Sequence, residues 1–308
     1  MHCPTLKELP PPPPYRTGWP WTEASPTPAN TTPANQPWPQ VSIVTPSYNQ
    51  AQFIEETIRS VLLQDYPALE YIVEDGGSSD GTLDILRRYQ GWLCWVSEPD
   101  KGQADAINKG LRMATGDVLA YLNSDDSYCP GGIRKIARFL RAHPDIGLVY
   151  GDCRVVDAVG KHLGYMPRHD FSLRRTIERG EFIPQQAAFW RRTAMERVGM
   201  VDEGLHYAMD YDFFIRVGQA FGVAYLPELV ACFRMHGTSK TVSQSEKHWR
   251  ESLAVSERYG LRPLMVWYWI RRLRHWGLQV MPEPIQRRVR QWMGRAQDPH
   301  LYVQGQGY

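Results

Sequence analysis

The sequence predicts an α/β fold, with a mostly parallel sheet flanked by helices and a C-terminal helical extension. Three observations lead to this prediction. Short apolar, β-branched segments alternate four times with amphipathic segments between residues 41 and 127. The connections are short, which favours right-handed crossovers with helices on both faces of the sheet. The 308 residues, 43% hydrophobic and 22% charged, have the composition of an ordinary globular protein.

The first strand is predicted at "VSIVTP", which begins at Val41. A β-branched run stopped by Pro46 is typical of a buried strand. Residues 52–64 follow, with their apolar side chains on one helical face. The second strand is predicted at "EYIVED", and Asp80 then offers an N-cap for a second amphipathic helix.

The third strand is predicted at "WLCWVSE" and the fourth at "DVLAYL". Between them, residues 103–114 have the apolar period of a helix, and Gly116 is predicted as the residue that ends it. Ligands of such sheets bind at the carboxyl ends of the strands. The four ends are polar or glycine-rich and are expected to converge on one site: Pro46 to Asn49, Asp75 to Gly81, Glu98 to Gly102, and Asn123 to Asp126.

Composition divides the chain into three predicted segments. Residues 1–40 are dense in Pro, Thr, Asn and Ala without periodicity. They are therefore predicted to be an extended, disordered leader rather than a polyproline ligand for a partner. Residues 41–240 are predicted to form the globular domain, and residues 241–308 the helical extension.

Charge and cysteine content argue against several classes of protein. The formal net charge of +2 is too small for a dedicated nucleic-acid binder. Five scattered cysteines without CxxC spacing are typical of reduced thiols, not of a disulfide framework or a zinc site. The N-terminus lacks an apolar signal segment, and there is no run of about 18 apolar residues that would predict a spanning helix. We therefore expect a cytoplasmic protein.

Two adjacent carboxylates, Asp125 and Asp126, follow the fourth strand in "YLNSDDSY". A solvated turn would explain them, and so would a site for Mg²⁺ or Mn²⁺ completed by substrate phosphates. Tyr48 could stack on a base, and Asp75 could accept hydrogen bonds from a base or ribose. Neither a GxGxxG after the first strand nor a P-loop is present, which disfavours a nicotinamide dehydrogenase. Nucleotide, diphosphate and metal together describe an activated-sugar donor.

Three stretches resemble the family 2 glycosyltransferases, with their GT-A fold: "VSIVTPSYNQAQFIEETIRSVLLQDYPALEYIVEDGGSSDGT", "SEPDKGQADAINKGLRMATGDVLAYLNSDD" and "HYAMDYDFFIRVG". The resemblance covers roughly Val41 to Gly237, and the order and spacing of several motifs agree. It implies a nucleotide-binding half at residues 41–127 and an acceptor half at residues 128–240. It also implies inverting transfer from a nucleotide-diphosphate sugar, usually a UDP-sugar, to a glycan or lipid-linked acceptor.

The resemblance also implies roles for individual residues. Asn123 stands where the family's acidic motif usually begins with Asp, so it adds no charge. Asp125 matches the metal-holding position and Asp126 the neighbouring acidic one, with Mg²⁺ or Mn²⁺ as the cofactor. The implied nucleotide-sugar contacts are Pro46, Tyr48, Asn49, Asp75, Ser78, Lys101, Asp105, Asn108, Asn123, Ser124, Gln186 and His236.

An inverting transfer needs a carboxylate that takes the proton of the acceptor hydroxyl. In this family a Glu-Asp pair at the start of a helix supplies it, and in "AMDYDFFIR" Met209 replaces the Glu while Asp210 aligns with the base. The alternative is that Asp210 and Asp212 only stabilise a helix N-terminus, which is the role assigned to Asp212. Asp202 is interpreted as a residue that orders its loop.

Further motifs of the second half are more ambiguous. Gln185 precedes Gln186 near the expected acceptor side, while His236 and Ser239 stand where related enzymes contact the diphosphate. A structural role for His236 is an equal alternative. The QxxRW motif of processive synthases is absent, so transfer of a single hexosyl or N-acetylhexosaminyl unit is expected, in the synthesis of cell-envelope polysaccharide.

The C-terminal stretch "RPLMVWYWIRRLRHWGL" mixes tryptophans with arginines. Such a mixture suits the inner surface of a cell membrane with anionic lipids, or a helical cap packed on the catalytic domain. Two other functions stay open from the sequence. A non-catalytic nucleotide-sugar binding module would explain the changes at Asn123 and Met209. A nucleotidyltransferase is disfavoured, because "TPSYNQ" is not the glycine-rich loop of that class.

Overall fold

The computed structural model describes residues 3–25, 37–237 and 244–280. Within these residues, one sheet has the strand order β3-β2-β1-β4-β8-β6-β9-β5, and β7 pairs with β6. The strands are β1 Val41–Ser47, β2 Leu69–Asp75, β3 Cys94–Ser97, β4 Val118–Tyr121, β5 Ser127–Tyr128, β6 Ile146–Asp157, β7 His162–Tyr165, β8 Ala188–Arg191 and β9 Gly222–Met235. The helices are α1 Ile54–Leu62, α2 Thr82–Tyr89, α3 Gln103–Met113, α4 Gly132–Ala142, α5 Leu173–Arg179, α6 Arg192–Val198, α7 Met209–Ala220, α8 Ser245–Arg258 and α9 Val266–Val280.

The first half of the sheet is parallel. β1 pairs in parallel with β2 and β4, and β2 pairs in parallel with β3. Every residue of β1 is buried, which explains its continuous apolar run, because helices cover both faces of the sheet. The predicted α/β class, with a mostly parallel sheet flanked by helices and a C-terminal helical extension, is confirmed.

The second half of the sheet turns the chain back toward the end of β4. β8 is antiparallel to β4 and β6, while the long strands β6 and β9 run in parallel. β9 then pairs antiparallel with the short strand β5, with Ser127 opposite Cys232. The end of β9 therefore lies beside residues 123–126, which we call the acidic turn.

Apolar side chains fill two layers, one on each face of the sheet. The first layer joins α1, α2 and α4 to the sheet, and the second joins α3, α6 and α7. Trp190 of β8 is completely buried in the second layer, with its ring 5.0 Å from that of Phe213 in α7. This packing fixes α7, which begins at Met209, against the strands that carry the acidic turn.

Gly116 does not end α3 in the way the sequence suggested. The helix ends at Met113, Ala114 is already extended, and Gly116 is not in the left-handed conformation. A Cβ on Gly116 would lie 2.5 Å from Ser42 Oγ and 2.8 Å from the Gln40 carbonyl oxygen. The glycine is needed for a close approach to β1, not for a helix cap.

The prediction of a disordered leader is wrong for residues 3–25, which we call the N-terminal strap. The strap packs on α1, where the buried guanidinium of Arg59 donates to the carbonyl oxygens of Pro10, Pro20 and Trp21. Trp19 Nε1 donates to the Tyr128 carbonyl oxygen at 2.8 Å. Proline carbonyls thus serve as acceptors for a buried cation, which composition does not reveal. Residues 26–36 lie outside the described residues.

The two C-terminal helices pack on the domain. The largely buried Arg271 of α9 donates to the Ile177 carbonyl oxygen and, at 2.6 Å, to Ser256 Oγ of α8. Trp267 lies beneath the guanidinium of Arg179, with 4.4 Å between the guanidinium carbon and the ring centroid. In the part of the chain that the structure covers, no helix combines the length and apolar character that crossing a bilayer requires. Ser239 and residues 281–308 are outside the described residues.

Candidate active site

The acidic turn meets the end of β9 through Asp125 and His236. Their side chains contact each other, with 2.9 Å between Asp125 Oδ2 and His236 Nε2. The His236 ring also lies 4.6 Å from the ring of Phe53, at the start of α1. The Asp125 side chain keeps about a fifth of its surface exposed, and His236 less than a tenth. Sequence reasoning named both residues but did not pair them.

Asp126 is held differently from its neighbour. It is almost completely buried, and its Oδ1 accepts the Arg234 backbone N–H at 2.9 Å. Asn123 and Gln186 donate to the carboxylate as well. Burial, and then the adjacent charge of Asp125, raise the pKa of Asp126 well above its usual value. The oxygens of Asp126 hold the turn in this structure, and its role as a second cation ligand stays a prediction.

Asn123 joins the acidic turn to two other elements. Its Oδ1 accepts a hydrogen bond from Gln103 Nε2 of α3 at 2.7 Å, and its Nδ2 faces Asp126 and Gln185 Oε1, each at 3.4 Å. An aspartate here would add a third carboxylate next to Asp126 and would lose these donors. The neutral Asn123 amide therefore links the acidic turn to Gln103 and Gln185. Ser124, the next residue, is buried, and its carbonyl oxygen accepts a hydrogen bond from Thr57.

The two glutamines lie in a 3₁₀ turn, Gln185–Ala187, next to the acidic turn. Gln185 Nε2 donates to the Tyr121 carbonyl oxygen at 2.6 Å. Gln186 Oε1 is buried and accepts no hydrogen bond within the described residues. A buried carbonyl oxygen without a donor is a candidate acceptor for a ligand.

Asp210 is the second residue of α7 and is half-buried. Burial raises its pKa, with the charge of Glu251 acting in the same direction and that of His248 against it. Trp190 packs against the rings of Tyr121 in β4 and Phe213 in α7, which brings the helix that carries Asp210 beside β4. A raised pKa makes a carboxylate a stronger base, as proton transfer from a hydroxyl requires.

Met209 and Asp212 have structural roles. Met209 is buried in the core, which explains why no charge stands there. Asp212 accepts hydrogen bonds from Arg216, Arg258 and Tyr259 at 2.8–3.0 Å. It therefore ties α8 to α7 and does not merely interact with the dipole of its own helix, as the sequence suggested.

The loop after β2 is folded around Asp75. Its carboxylate accepts from the N–H groups of Gly77 and Ser78 and from the hydroxyls of Ser78 and Ser97, at 2.5–3.1 Å. Asn49, in the left-handed conformation with φ +52°, donates its N–H to Ser78 Oγ at 2.7 Å. Asp75 thus orders the loop, although the sequence suggested direct contact with a base.

Tyr48 and Asp100 border the same loop. Tyr48 is 62% exposed, so its ring is available for stacking on a flat ligand. A Cβ added at Gly76 would lie 2.5 Å from Asp100 Oδ2 and 3.4 Å from the Tyr48 ring. The glycine therefore keeps open the narrow space between them. Pro46 lies within β1, opposite Glu74 of β2 and one residue before the end of the strand.

The predicted contact residues in and just before α3 have different surroundings. Asp105 accepts the Lys101 backbone N–H at 3.0 Å, and this bond is the main reason that the pKa of Asp105 is lowered. The Lys101 residue is exposed. Asn108 is buried, and its Nδ2 donates to the Val201 carbonyl oxygen and to Glu203, both at 2.9 Å. Its Oδ1 is buried and has no hydrogen-bond partner among the described residues. Asn108 holds the loop before α7, and its contact with a nucleotide sugar stays a prediction.

One loop prediction is supported by the contacts. Asp202 Oδ1 accepts the Gly204 N–H at 2.9 Å, and Oδ2 accepts from Arg258 at 3.1 Å, so Asp202 orders its loop as interpreted.

Sequence reasoning missed Phe53, Glu56 and Arg234, which surround the acidic turn. The spacing of Phe53 and Glu56 places them on one face of α1, but the sequence does not show which strand that face meets.

The fold and the arrangement of these acidic residues define a glycosyltransferase of the GT-A type. The family model described as glycosyl transferase family 2 matches residues 42–199, just over half of the chain. The chain belongs to this family, and the resemblance noted in its motifs is confirmed.

Two curated relatives illustrate the similarity. A glycosyltransferase of Mycobacterium tuberculosis, named as uncharacterized, is 34% identical over 185 residues, which cover 58% of this chain and 68% of the relative. A protein of Mycobacterium bovis named as a PGL/p-HBAD biosynthesis glycosyltransferase is 29% identical over 265 residues, 83% of this chain and 98% of the relative.

Two solved structures share the fold. Residues 1–349 of TarS from S. aureus, in complex with UDP-GlcNAc, align with a TM-score of 0.57 and 19% identity, covering 70% of this chain and 66% of that one. The mannosyltransferase PcManGT from Pyrobaculum calidifontis, in complex with GDP-Man and Mn²⁺, aligns with a TM-score of 0.57 and 23% identity. The match covers 77% of this chain and 69% of that one.

Proposed function

We propose that the protein transfers one sugar from a nucleotide-diphosphate sugar to an acceptor hydroxyl, with inversion at the anomeric carbon and Asp210 as the base. The observation that carries this proposal is the Asp125–His236 pair beyond the end of β4, together with the packing of Trp190 against both Tyr121 of β4 and Phe213 of α7, the helix that carries Asp210. One group is suited to take a proton, and the pair is suited to a cation and a diphosphate.

The chemical step is a direct displacement. The acceptor oxygen forms a bond to the anomeric carbon while the bond from that carbon to the diphosphate breaks. The hydroxyl proton passes to Asp210, whose Oδ1 accepts the Tyr211 N–H at 2.8 Å and is thereby oriented. Because burial raises the pKa of Asp210, its carboxylate is a stronger base than that of an exposed aspartate.

Asp125 and His236 fit a divalent cation. Among the described residues, no three His, Cys, Asp or Glu side chains cluster in a way that could hold a metal. Asp125 Oδ2 and His236 Nε2 are nevertheless two potential metal-ligand atoms, 2.9 Å apart. Cations in diphosphate sites commonly use one or two protein ligands together with the substrate phosphates. When bound, such a cation neutralises charge on the leaving diphosphate. The imidazole donor favours Mn²⁺ over Mg²⁺, which prefers oxygen.

We propose a UDP-sugar as the donor. The exposed Tyr48 ring and the loop ordered by Asp75 offer a stacking surface beside backbone polar groups. The structural neighbour in complex with UDP-GlcNAc supports this choice, while the neighbour in complex with GDP-Man makes GDP-sugars the alternative. The name of the M. bovis relative, in PGL/p-HBAD biosynthesis, supports an acceptor with a lipid or phenolic part.

A lipid-linked acceptor would be reached through α9. Four apolar residues at its start and on one face are exposed: Leu264 at 98%, Val266 at 66%, Trp269 at 53% and Leu273 at 60%. Exposed arginines, Arg262 and Arg272, lie among them. Apolar anchors with cationic neighbours fit a bilayer surface that contains anionic lipids. We propose that this face docks on the inner surface of the cell membrane.

The test is a panel of nucleotide sugars. We expect one UDP-sugar to raise the melting temperature in the presence of Mn²⁺ and to be slowly hydrolysed when no acceptor is added. Thermal stabilisation without any turnover on a range of glycan and lipid acceptors would support a non-catalytic binding module instead. Failure of every nucleotide sugar to bind would contradict the proposal.

A further inference from the structure

One face of α1 lies against the acidic turn. Phe53, Glu56 and Thr57 stand three and four residues apart and so share this face. Thr57 Oγ1 donates to the carbonyl oxygens of Ser124 and Asp126, at 2.9 and 2.7 Å. The hydroxyl therefore fixes the backbone of the turn on both sides of Asp125.

Arg234 of β9 fixes the turn from the other side. Its backbone N–H donates to Asp126 Oδ1 and its Nε donates to the Asp125 carbonyl oxygen, both at 2.9 Å. The guanidinium is almost fully buried and makes an ion pair with Glu56. It also lies 5.4 Å from the centroid of the Phe53 ring. Both carboxylates of the turn thus depend on the placement of one buried arginine, which stands two residues before His236.

Glu56 connects this arginine to the N-terminal strap. Its Oε1 pairs with Arg234, while Oε2 lies 3.5 Å from Arg16 Nη1 of the strap. The Arg16 guanidinium is held 5.3 Å from the centroid of the Trp21 ring, and the strap itself is anchored by Arg59. A continuous series of charges therefore runs from the strap through α1 to the acidic turn. We call Arg16, Glu56 and Arg234 the charge relay.

We propose that Arg234 and Glu56 are positioning residues for the Asp125–His236 pair, and that the N-terminal strap acts on this pair through Arg16. The catalytic meaning of the relay rests on the proposed function, because positioning matters there for a bound cation and diphosphate. Within the described residues, Glu56 is the carboxylate that pairs with the buried Arg234 guanidinium, and without it the guanidinium would shift toward solvent or toward the carboxylates of the turn. Either shift would move the Asp125 backbone, to which Arg234 Nε is bonded.

The relay predicts an effect on metal affinity that differs from a loss of stability. Residues that orient metal ligands typically change metal affinity by about 10- to 100-fold when they are altered. Glu56→Gln keeps the size of the side chain and removes its charge, so we expect a loss in that range. Arg16→Ala breaks only a partly exposed ion pair, so we expect a loss of at most about fivefold.

The experiment uses the full chain in four forms: Glu56→Gln, Arg16→Ala, the double variant and the control Arg87→Ala. Arg87 also pairs with a carboxylate, that of Asp84, but on the exposed surface of α2. Two quantities are measured for each form and for the parent protein. Calorimetry gives the Mn²⁺ affinity in the presence of saturating UDP, and hydrogen exchange gives the protection of backbone amides in residues 122–128 and 232–237.

We expect Glu56→Gln to weaken Mn²⁺ binding and to speed exchange in residues 122–128, while exchange in residues 69–75 of β2 is unchanged. The double variant should lose no more affinity than Glu56→Gln alone, because residues of one relay are not additive. Arg87→Ala should have the same Mn²⁺ affinity and the same exchange rates as the parent protein. The proposal would be overturned if hydrogen exchange in residues 122–128 of folded Glu56→Gln were unchanged. It would also be overturned if the double variant lost as much Mn²⁺ affinity as the two single variants together.

Failure of the proposed function has a different signature. In that case the parent protein itself binds neither UDP nor Mn²⁺, whatever the variants do. Exchange still decides the relay, because it needs no ligand: faster exchange at the turn in Glu56→Gln supports it, and unchanged exchange refutes it.

Discussion

Replacing Glu74 by Gln should change how the stability of the protein depends on pH. Glu74 is a buried carboxyl of β2 below α3. Burial raises its pKa to about 7; the carboxylates of Glu98, Asp105 and Asp100 act in the same direction, and Lys109 acts against them. The neutral side chain therefore fits the folded protein better than the charged one.

The magnitude follows from the two pKa values. In the unfolded chain Glu74 has its ordinary pKa of 4.5, and in the folded protein about 7. At about 1.36 kcal/mol per unit this difference is about 3 kcal/mol, which solvent screening reduces to about 2 kcal/mol. Because the folded pKa is the higher one, this stability is fully present below pH 4.5 and is lost as the pH rises through 7.

Urea unfolding between pH 5 and pH 8 measures this loss directly. The free energy of unfolding of the parent protein should fall across this range more steeply than that of Glu74→Gln, which should be the more stable form at pH 8. Glu228→Gln serves as the control, because Glu228 is also a half-exposed carboxylate paired with a lysine, Lys135, but it lies on β9, several strands away from β2. Parallel pH profiles for the parent and Glu74→Gln would refute the reasoning.

Three further predictions concern packing, membrane contact and the metal. Gly116→Ala should lower the free energy of unfolding by about 1–3 kcal/mol, because its Cβ would overlap Ser42 Oγ and backbone atoms. The control Gly91→Ala places its Cβ in open space and should leave the free energy of unfolding unchanged, so equal stabilities of the two variants would contradict the prediction. The double change Trp269→Ser and Leu273→Ser should reduce binding to vesicles that contain anionic lipid, measured by flotation, with no effect on nucleotide affinity; undiminished binding would show that α9 is only a cap. Asp125→Ala should remove the Mn²⁺ dependence of UDP binding in calorimetry, and an affinity that still depends on Mn²⁺ would contradict its role.

The parallel half of the fold could be predicted because each element there is encoded locally. The run from Val41 is buried along its whole length, and the strand ends that follow it carry the predicted polar residues. Asp125 was found because it lies four residues after the end of such a strand, β4. Gly116 was misread, because a glycine shortly after a helix suggests a cap, while the close approach of β1 that requires it is a tertiary contact.

The remaining features depend on contacts between distant parts of the chain. Arg234 lies 108 residues from Asp126 along the sequence, and its role follows only from the pairing of β9 with β5 and β6. The N-terminal strap binds Arg59 through carbonyl oxygens and the Trp21 ring, and these contacts leave no periodic pattern in its sequence. Asn108 was predicted as a ligand contact on a helix near the strand ends, and its amide also holds the loop before α7, a contact that the sequence does not show.

The most direct test of the account is the turnover of Asp210→Asn with the donor that the panel identifies. Asparagine keeps the shape of the side chain but cannot take a proton, so kcat should fall by about 10²–10⁴-fold, while the affinity for UDP with Mn²⁺ is unchanged. Asp84→Asn, which removes an exposed carboxylate of α2, should retain the parent kcat. Turnover of Asp210→Asn within a few-fold of the parent would contradict the central claim that Asp210 is the base.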